Sequence, residues 1–186
     1  MDDKDINGLI ILITENNQEA YKTLFWHYYQ KLEKFSYNFV QKHEIAEEIV
    51  SDVMINIWRN RKSLRNITNI TLYLYKSTRN RSYNYINREV KYSRVSDLDQ
   101  LNIADEKDPS SIIISSQLQA QLDKAVNSLP PRCKMCYQLI KEDGLSYKEV
   151  ADIMSISERT VNAQMVSAMK KLSDLLREDI INYFKK

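Results

Sequence analysis

Helix breakers are almost absent from this chain. Its 186 residues contain two glycines, Gly8 and Gly144, and three prolines, Pro109, Pro130 and Pro131. Glycine and proline punctuate turns, so a chain this poor in them and rich in Leu, Ile, Lys, Glu and Gln reads as all-α. The length suits one ordinary domain or two small ones. No apolar run approaches the roughly 18 residues of a membrane span. The acidic start Met1-Asp2-Asp3-Lys4-Asp5 is unlike a secretory signal, which begins basic. Two cysteines, Cys133 and Cys136, are too few for a disulfide framework. These features predict a protein of the reducing cytoplasm with no membrane insertion.

Periodicity then divides the chain. From Glu19 to Gln41, Ala20, Leu24, Phe25, Tyr28, Leu32, Phe35 and Phe39 recur every three or four positions, which predicts an amphipathic helix. A second helix is predicted from Glu44 to Trp58, with Ile45, Ile49, Val53 and Ile57 in one apolar row and Val50, Met54 and Trp58 in the next. Residues 59–71 lose the period and read as a basic loop. A third helix is predicted over Leu72–Val90. Residues 93–115 are acidic and polar and form the linker candidate, which gives domains at 1–92 and 116–186. The second domain begins with a helix over Gln117–Ser128. Leu129-Pro130-Pro131 breaks it, and Pro131 can start the next helix, which stops at Asp143-Gly144.

A net charge of +2 conceals a strong pattern. Residues 59–94 hold ten Lys or Arg and one acid, Glu89, whereas residues 1–58 hold five cations and ten acids. A basic block of this kind suits a polyanion, and its flanks would be kept away from one. Within it, cations alternate with Tyr73, Tyr75, Tyr83, Tyr85 and Tyr92 and with several asparagines. Planar side chains among cations suit single-stranded nucleic acid, where each stacked base contributes about 1–3 kcal/mol. Tyr73, with Leu72 and Leu74, reads better as core. Arg79, Asn80, Arg81, Asn84 and Arg88 read as nucleic-acid contacts.

The C-terminal third carries a helix-turn-helix. Ser146-Tyr147-Lys148-Glu149 is a capping box, in which serine accepts from the Glu149 amide and glutamate reaches back. A short helix follows with Val150, Ile153 and Met154 inward, then a turn at Ser155-Ile156 and a second N-cap at Ser157. The next helix buries Val161, Met165, Met169, Leu172 and Leu176, which leaves Arg159, Thr160, Asn162, Ala163, Gln164 and Ser167 outward near its start. Helices joined so tightly cross steeply, and the second offers its N-terminal face to a major groove. The amides of Asn162 and Gln164 can pair with adenine. The base-facing side chains are short and uncharged, which favours methyl contacts and DNA shape over strong hydrogen-bonded readout.

Other chemistry finds little support. Cys133-Lys134-Met135-Cys136 is a C-x-x-C, yet zinc needs four ligands, and the two histidines, His27 and His43, fall in the other domain. A thioredoxin-type site needs a βαβ context that is missing here. Both cysteines read as helical thiols, at least one packed inward. No catalytic set, metal site or cofactor motif stands out, so the chain is read as a non-enzyme.

The ordered set of motifs resembles the extracytoplasmic-function (ECF) group of sigma-70-type RNA polymerase sigma factors. Glu44 through Trp58 is similar to the family's polymerase-binding helix, with Ser51 where Gln is frequent and Met54 where Phe is frequent. Leu72 through Arg81 is similar to the −10 segment. Leu129-Pro130-Pro131-Arg132, Gly144 through Ala151, and Thr160-Val161 are similar to the −35 domain. The resemblance implies that Glu47, Glu48, Ser51, Asp52 and Asn56 meet the β′ clamp helices of core RNA polymerase. The loop holding Lys62, Arg65, Asn66 and Asn69 would form a pocket, lined by Asn80, for a base flipped from the −10 element, with Tyr83 on the same DNA-binding segment. Asn162, Ala163, Val166 and Ser167 would read −35 bases, while Arg132, Tyr147, Lys148, Arg159, Lys170 and Lys171 hold phosphates. The second domain would rest on the β flap. Family members are commonly held by an anti-sigma partner, and no residue here identifies one. Residues 93–115 would span up to about 75 Å at ~3.3 Å per residue, more than the about 50 Å between two promoter elements one and a half turns apart. Two other readings stay open at this point. One is a stand-alone helix-turn-helix regulator, and the other an RNA- or single-strand-binding adaptor.

Overall fold

In the computed structural model, residues 3–93 and 122–183 are described, with side chains over 5–89 and 122–175. These residues form helices joined by short turns and contain no strand. The chain divides into two compact units, one within residues 1–97 and one within 98–186. Apart from Ser93, the expected linker lies outside the described residues, as does the start of the helix expected from Gln117.

The first unit opens with α1, Asp3–Thr14, which the sequence reading did not anticipate. Leu9 to Ile13 is an unbroken apolar run, and such a run shows no period by which to tell helix from strand. Folded, it buries Ile6, Ile10 and Ile13 along one side and leaves Ile11 and Leu12 exposed. Asn17 caps α2 (Gln18–Val40) by accepting from the Ala20 amide at 3.0 Å. Ala20, Leu24, Tyr28, Leu32, Phe35 and Val40 of α2 are buried; Phe25 and Phe39 flank that stripe, half-buried. Helix α3 (His43–Arg59) packs Ala46, Ile49, Val50, Val53, Met54 and Ile57 inward.

The stretch expected as a basic loop contains a 3-10 helix, Arg61–Asn66. Leu64 explains it, since this one apolar residue among cations is drawn fully into the core and tightens the chain around it. Asn69 then caps α4 (Ile70–Ser93) by accepting from the Leu72 amide at 2.8 Å. Leu74 and Tyr75 are wholly buried, the Tyr75 ring lying 5.1 Å from that of Phe35. Tyr75 is therefore core and leaves the set of candidate stacking tyrosines. Small residues let α4 approach α2 closely, and Ser36 and Ser82 share a buried 3.0 Å hydrogen bond at the crossing.

In the second unit, residues 122–127 form α5, and Pro131–Tyr137 form α6 with proline in the first turn. The helix then widens into a π turn, Gln138–Glu142, in which the Asp143 amide donates to Gln138 at 3.0 Å. Gly144 ends it at φ +76, a left-handed conformation that L side chains rarely adopt. The capping box is formed as read: Glu149 donates its amide to the Ser146 hydroxyl, and its carboxylate accepts from the Ser146 amide at 2.9 Å. It starts α7 (Tyr147–Met154). Ser155 closes α7 in the left-handed conformation, and α8 runs over Glu158–Tyr183. The side chain of Leu176 lies outside the described residues, and one inward position differs from expectation. Ala168 is fully buried and Met169 is 48% exposed, because 161, 165, 168 and 172 fit a 3.6 period better than a path through 169. Ala168 and Leu172 pack with Ala125, Val126, Leu129 and Cys133.

Two predictions follow from burial. Leu74→Ala removes a fully buried side chain and is expected to cost 2–5 kcal/mol, whereas Trp26→Ala, at a site 70% exposed, should stay within about 0.5 kcal/mol; urea unfolding checks both. Burial, and secondarily Cys133, pushes the Cys136 thiol from 9.0 up to about 11. Above pH 9 the unfolded chain loses this proton first, so stability should fall as pH rises from 9 to about 11. Cys136→Ser should flatten that part of the profile.

Candidate nucleic-acid interface

On the first unit, acidic and basic surfaces lie on neighbouring helices. Glu47, Glu48 and Asp52 are exposed on α3, with Ser51 and Asn56 half-buried beside them. Tyr29 of α2 adjoins this row. Burial pushes its hydroxyl pKa up, the Glu47 and Glu33 carboxylates add to that, and a hydrogen bond with Ser51 opposes it. Asn56 accepts from the Asn60 side chain at 2.7 Å. Asp52 accepts from Arg81 of α4 at 2.7 Å, so one residue expected at polymerase and one expected at DNA are paired with each other.

The expected −10 residues are spread around α4. Arg81, Asn84 and Arg88 share one side, Arg79 and Tyr83 another, and Asn80 stands between. Asn80, Asn84 and Arg88 are exposed. Arg79 donates to the Asn80 side chain at 3.2 Å. Tyr83 is 48% exposed, with its inner edge against Phe39. In the 3-10 segment Lys62 and Asn66 are exposed, but Arg65 donates to Thr14 at 3.0 Å and lies 3.7 Å from Glu15. Arg61 bonds the Asn16 side chain and the Trp58 carbonyl and stacks 4.6 Å over the Trp58 ring. The C-terminal turn of α1 therefore braces this segment, a role the sequence reading missed. Glu15-Asn16-Asn17, a helix stop followed by an N-cap, was the available signal. Asn69 serves as the cap of α4, which occupies its side-chain oxygen.

On the second unit, the start of α8 is fixed by Ser157, whose hydroxyl accepts from the Thr160 amide at 3.0 Å and pairs with the Thr160 hydroxyl at 2.8 Å. Arg159, Asn162, Ala163, Val166, Ser167, Lys170 and Lys171 are exposed on this helix, as are Tyr147 and Lys148 on α7 and Arg132 on α6. Gln164 sits apart from them, half-buried, and its carbonyl oxygen accepts from the Cys133 thiol at 2.9 Å. That bond turns its oxygen toward α6. Both cysteines are buried, and among the described residues no three His, Cys, Asp or Glu side chains converge on a point.

Both units match known protein families. The family model for sigma-70 region 2 matches residues 24–92, and that for sigma-70 region 4 matches residues 119–172. The ECF RNA polymerase sigma-E factor of Escherichia coli K12 is 23% identical over 175 residues, covering 89% of this chain and 91% of that protein. Its counterpart in Haemophilus influenzae is 21% identical over 179 residues, covering 91% and 94%. Among solved structures, the sigma factor RpoE of Bartonella quintana, in complex with the anti-sigma factor NepR, superposes with a TM-score of 0.57 at 25% identity, over 86% of this chain and 98% of that one. CnrH in complex with the cytosolic domain of CnrY gives 0.58 at 16% identity, over 94% and 99%, a likeness of fold. With regions 2 and 4 matched in order over most of its length, the chain belongs to the sigma-70 family of RNA polymerase sigma factors, in its extracytoplasmic-function group.

Proposed function

We infer that this chain is an alternative sigma factor: it binds core RNA polymerase and directs promoter recognition, DNA melting and the start of transcription. The observation that carries this is the presence, in one short chain, of a region 2 unit with adjoining acidic and basic helices and a region 4 helix-turn-helix. Residues 1–92 serve the polymerase clamp and the −10 element, residues 93–115 connect, and residues 116–186 serve the −35 element.

At the residue level, the exposed Glu47, Glu48 and Asp52, with Ser51 and Asn56, form the surface for the β′ clamp helices. Lys62, Asn66, Asn80, Asn84 and Arg88 are the most accessible of the −10 set, which supports their role at the melted strand. Arg65 and Asn69 act on that site by shaping its backbone. Amides at the start of α8, with Arg132, Tyr147, Lys148, Arg159, Lys170 and Lys171, hold the −35 phosphates, and this unit also rests on the β flap. The protein works in the cytoplasm and catalyses nothing itself, since polymerase performs the chemistry. No helix among the described residues is long and apolar enough to cross a membrane. Because the similar sigma factor RpoE was solved with an anti-sigma factor, a protein of that class is a second partner for this one.

Run-off transcription with bacterial core polymerase and a promoter library tests the reading. Added chain is expected to produce transcripts from a defined promoter class; the absence of any stimulation would overturn it. Asn80→Ala should leave core binding within twofold while reducing open-complex formation at least tenfold, read by a fluorescent base in the −10 element. Equal losses in both would remove Asn80 from the flipped-base site.

A further inference from the structure

The outward line of α8 has an unusual order of side chains. Arg159, Ala163, Val166 and Lys170 follow one another at i, i+4, i+7 and i+11, so they lie along one side of the helix. All four are exposed, Val166 by 62%, and the core residues Val161, Met165, Ala168 and Leu172 occupy the opposite side. The cations stand about 16 Å apart at ~1.5 Å per residue. Between them are one methyl and one isopropyl group, neither able to hydrogen-bond a base. No acidic residue occurs from 159 to 173. Gln164, the longest amide near this line, has its oxygen engaged by Cys133.

Of the four major-groove edges, only thymine presents an apolar group, its C5-methyl. A cytosine at the same place offers only C5–H where thymine carries its methyl, so the apolar contact and its burial are lost. The flanking cations match a duplex backbone on either side of such a contact. Ala163 and Val166 are separated by about 4.5 Å along the helix, comparable with the ~3.4 Å step between stacked bases.

We propose that Ala163 and Val166 determine −35 specificity by packing against the methyl groups of thymines on neighbouring base pairs. This rests on the reading that α8 enters the −35 major groove, and it names the element class: one with thymines at two adjacent positions, on either strand. Arg159 and Lys170 fix the register through phosphates, and Asn162 and Ser167 flank the contact.

The test uses holoenzyme assembled from the full chain and core polymerase. Selection from a randomised −35 library should recover thymine at two adjacent positions. Replacing each by deoxyuridine removes only a methyl, and should weaken promoter binding about three- to fivefold per site. Deoxyuridine in the spacer should change nothing. Val166→Ser replaces both methyls by one hydroxyl, and should bring the thymine-to-uracil ratio at one position close to one. Normal initiation with thymine and deoxyuridine bound alike overturns this proposal alone. A chain that recruits core to no promoter overturns the functional reading and the proposal together.

Discussion

The packing of α2 is the constraint on which the first unit depends. This helix touches α1, α3 and α4, and its line of Leu24, Tyr28, Leu32 and Phe35 is buried in the core of the unit. Each such side chain contributes about 1.5–3 kcal/mol through burial, far more than any surface ion pair in the unit. With α3 and α4 pinned to the same helix, the acidic row from Glu47 to Asp52 and the basic row from Arg81 to Arg88 must meet along one edge. The Asp52–Arg81 pair marks that edge. Both side chains are about half exposed, so the pair adds little to stability. Its interest is positional, because it joins the surface assigned to polymerase to the surface assigned to the melted strand.

Much of this architecture can be read from spacing alone. The stripes of α2 and α3, the Ser146–Glu149 box and the stop at Gly144 are local signals, set by helix period and by which backbone groups lack partners. The missing pieces are tertiary. Helix α1 hides in Leu9–Ile13, where five successive apolar residues carry no phase. The 3-10 turn exists because Leu64 has a core to enter, which its basic neighbours do not reveal. Met169 and Ala168 differ by one position, or 100° on the helix; the strict period favours Ala168, and its packing with Ala125 and Leu129 fixes that phase.

The candidate site was legible by residue type and less so by partner. Net basicity points to α4 and the turn before it as the −10 segment, and the structure ties Arg61 and Arg65 to the end of α1, Asn69 to a helix cap and Gln164 to a thiol. Polar side chains near a functional surface have two uses, contact and scaffolding. A linear sequence shows the inventory, and the fold assigns the use. What α8 exposes is short, uncharged or apolar between cations, a surface expected to dock weakly by itself.

Weak docking by each unit is what a divided reader requires. Two modest contacts held by one large partner gain from effective concentration, so polymerase, rather than either unit, sets the final affinity. The direct measurement is equilibrium binding of the same duplex promoter, at one salt concentration, to the free chain and to its complex with core polymerase. The free chain should bind no more tightly than non-specific proteins do, roughly 10⁻⁴–10⁻⁶ M, and core should strengthen binding by at least a hundredfold. Nanomolar, sequence-specific binding by the free chain, unchanged by core, would contradict the account and make the helix-turn-helix a self-sufficient reader.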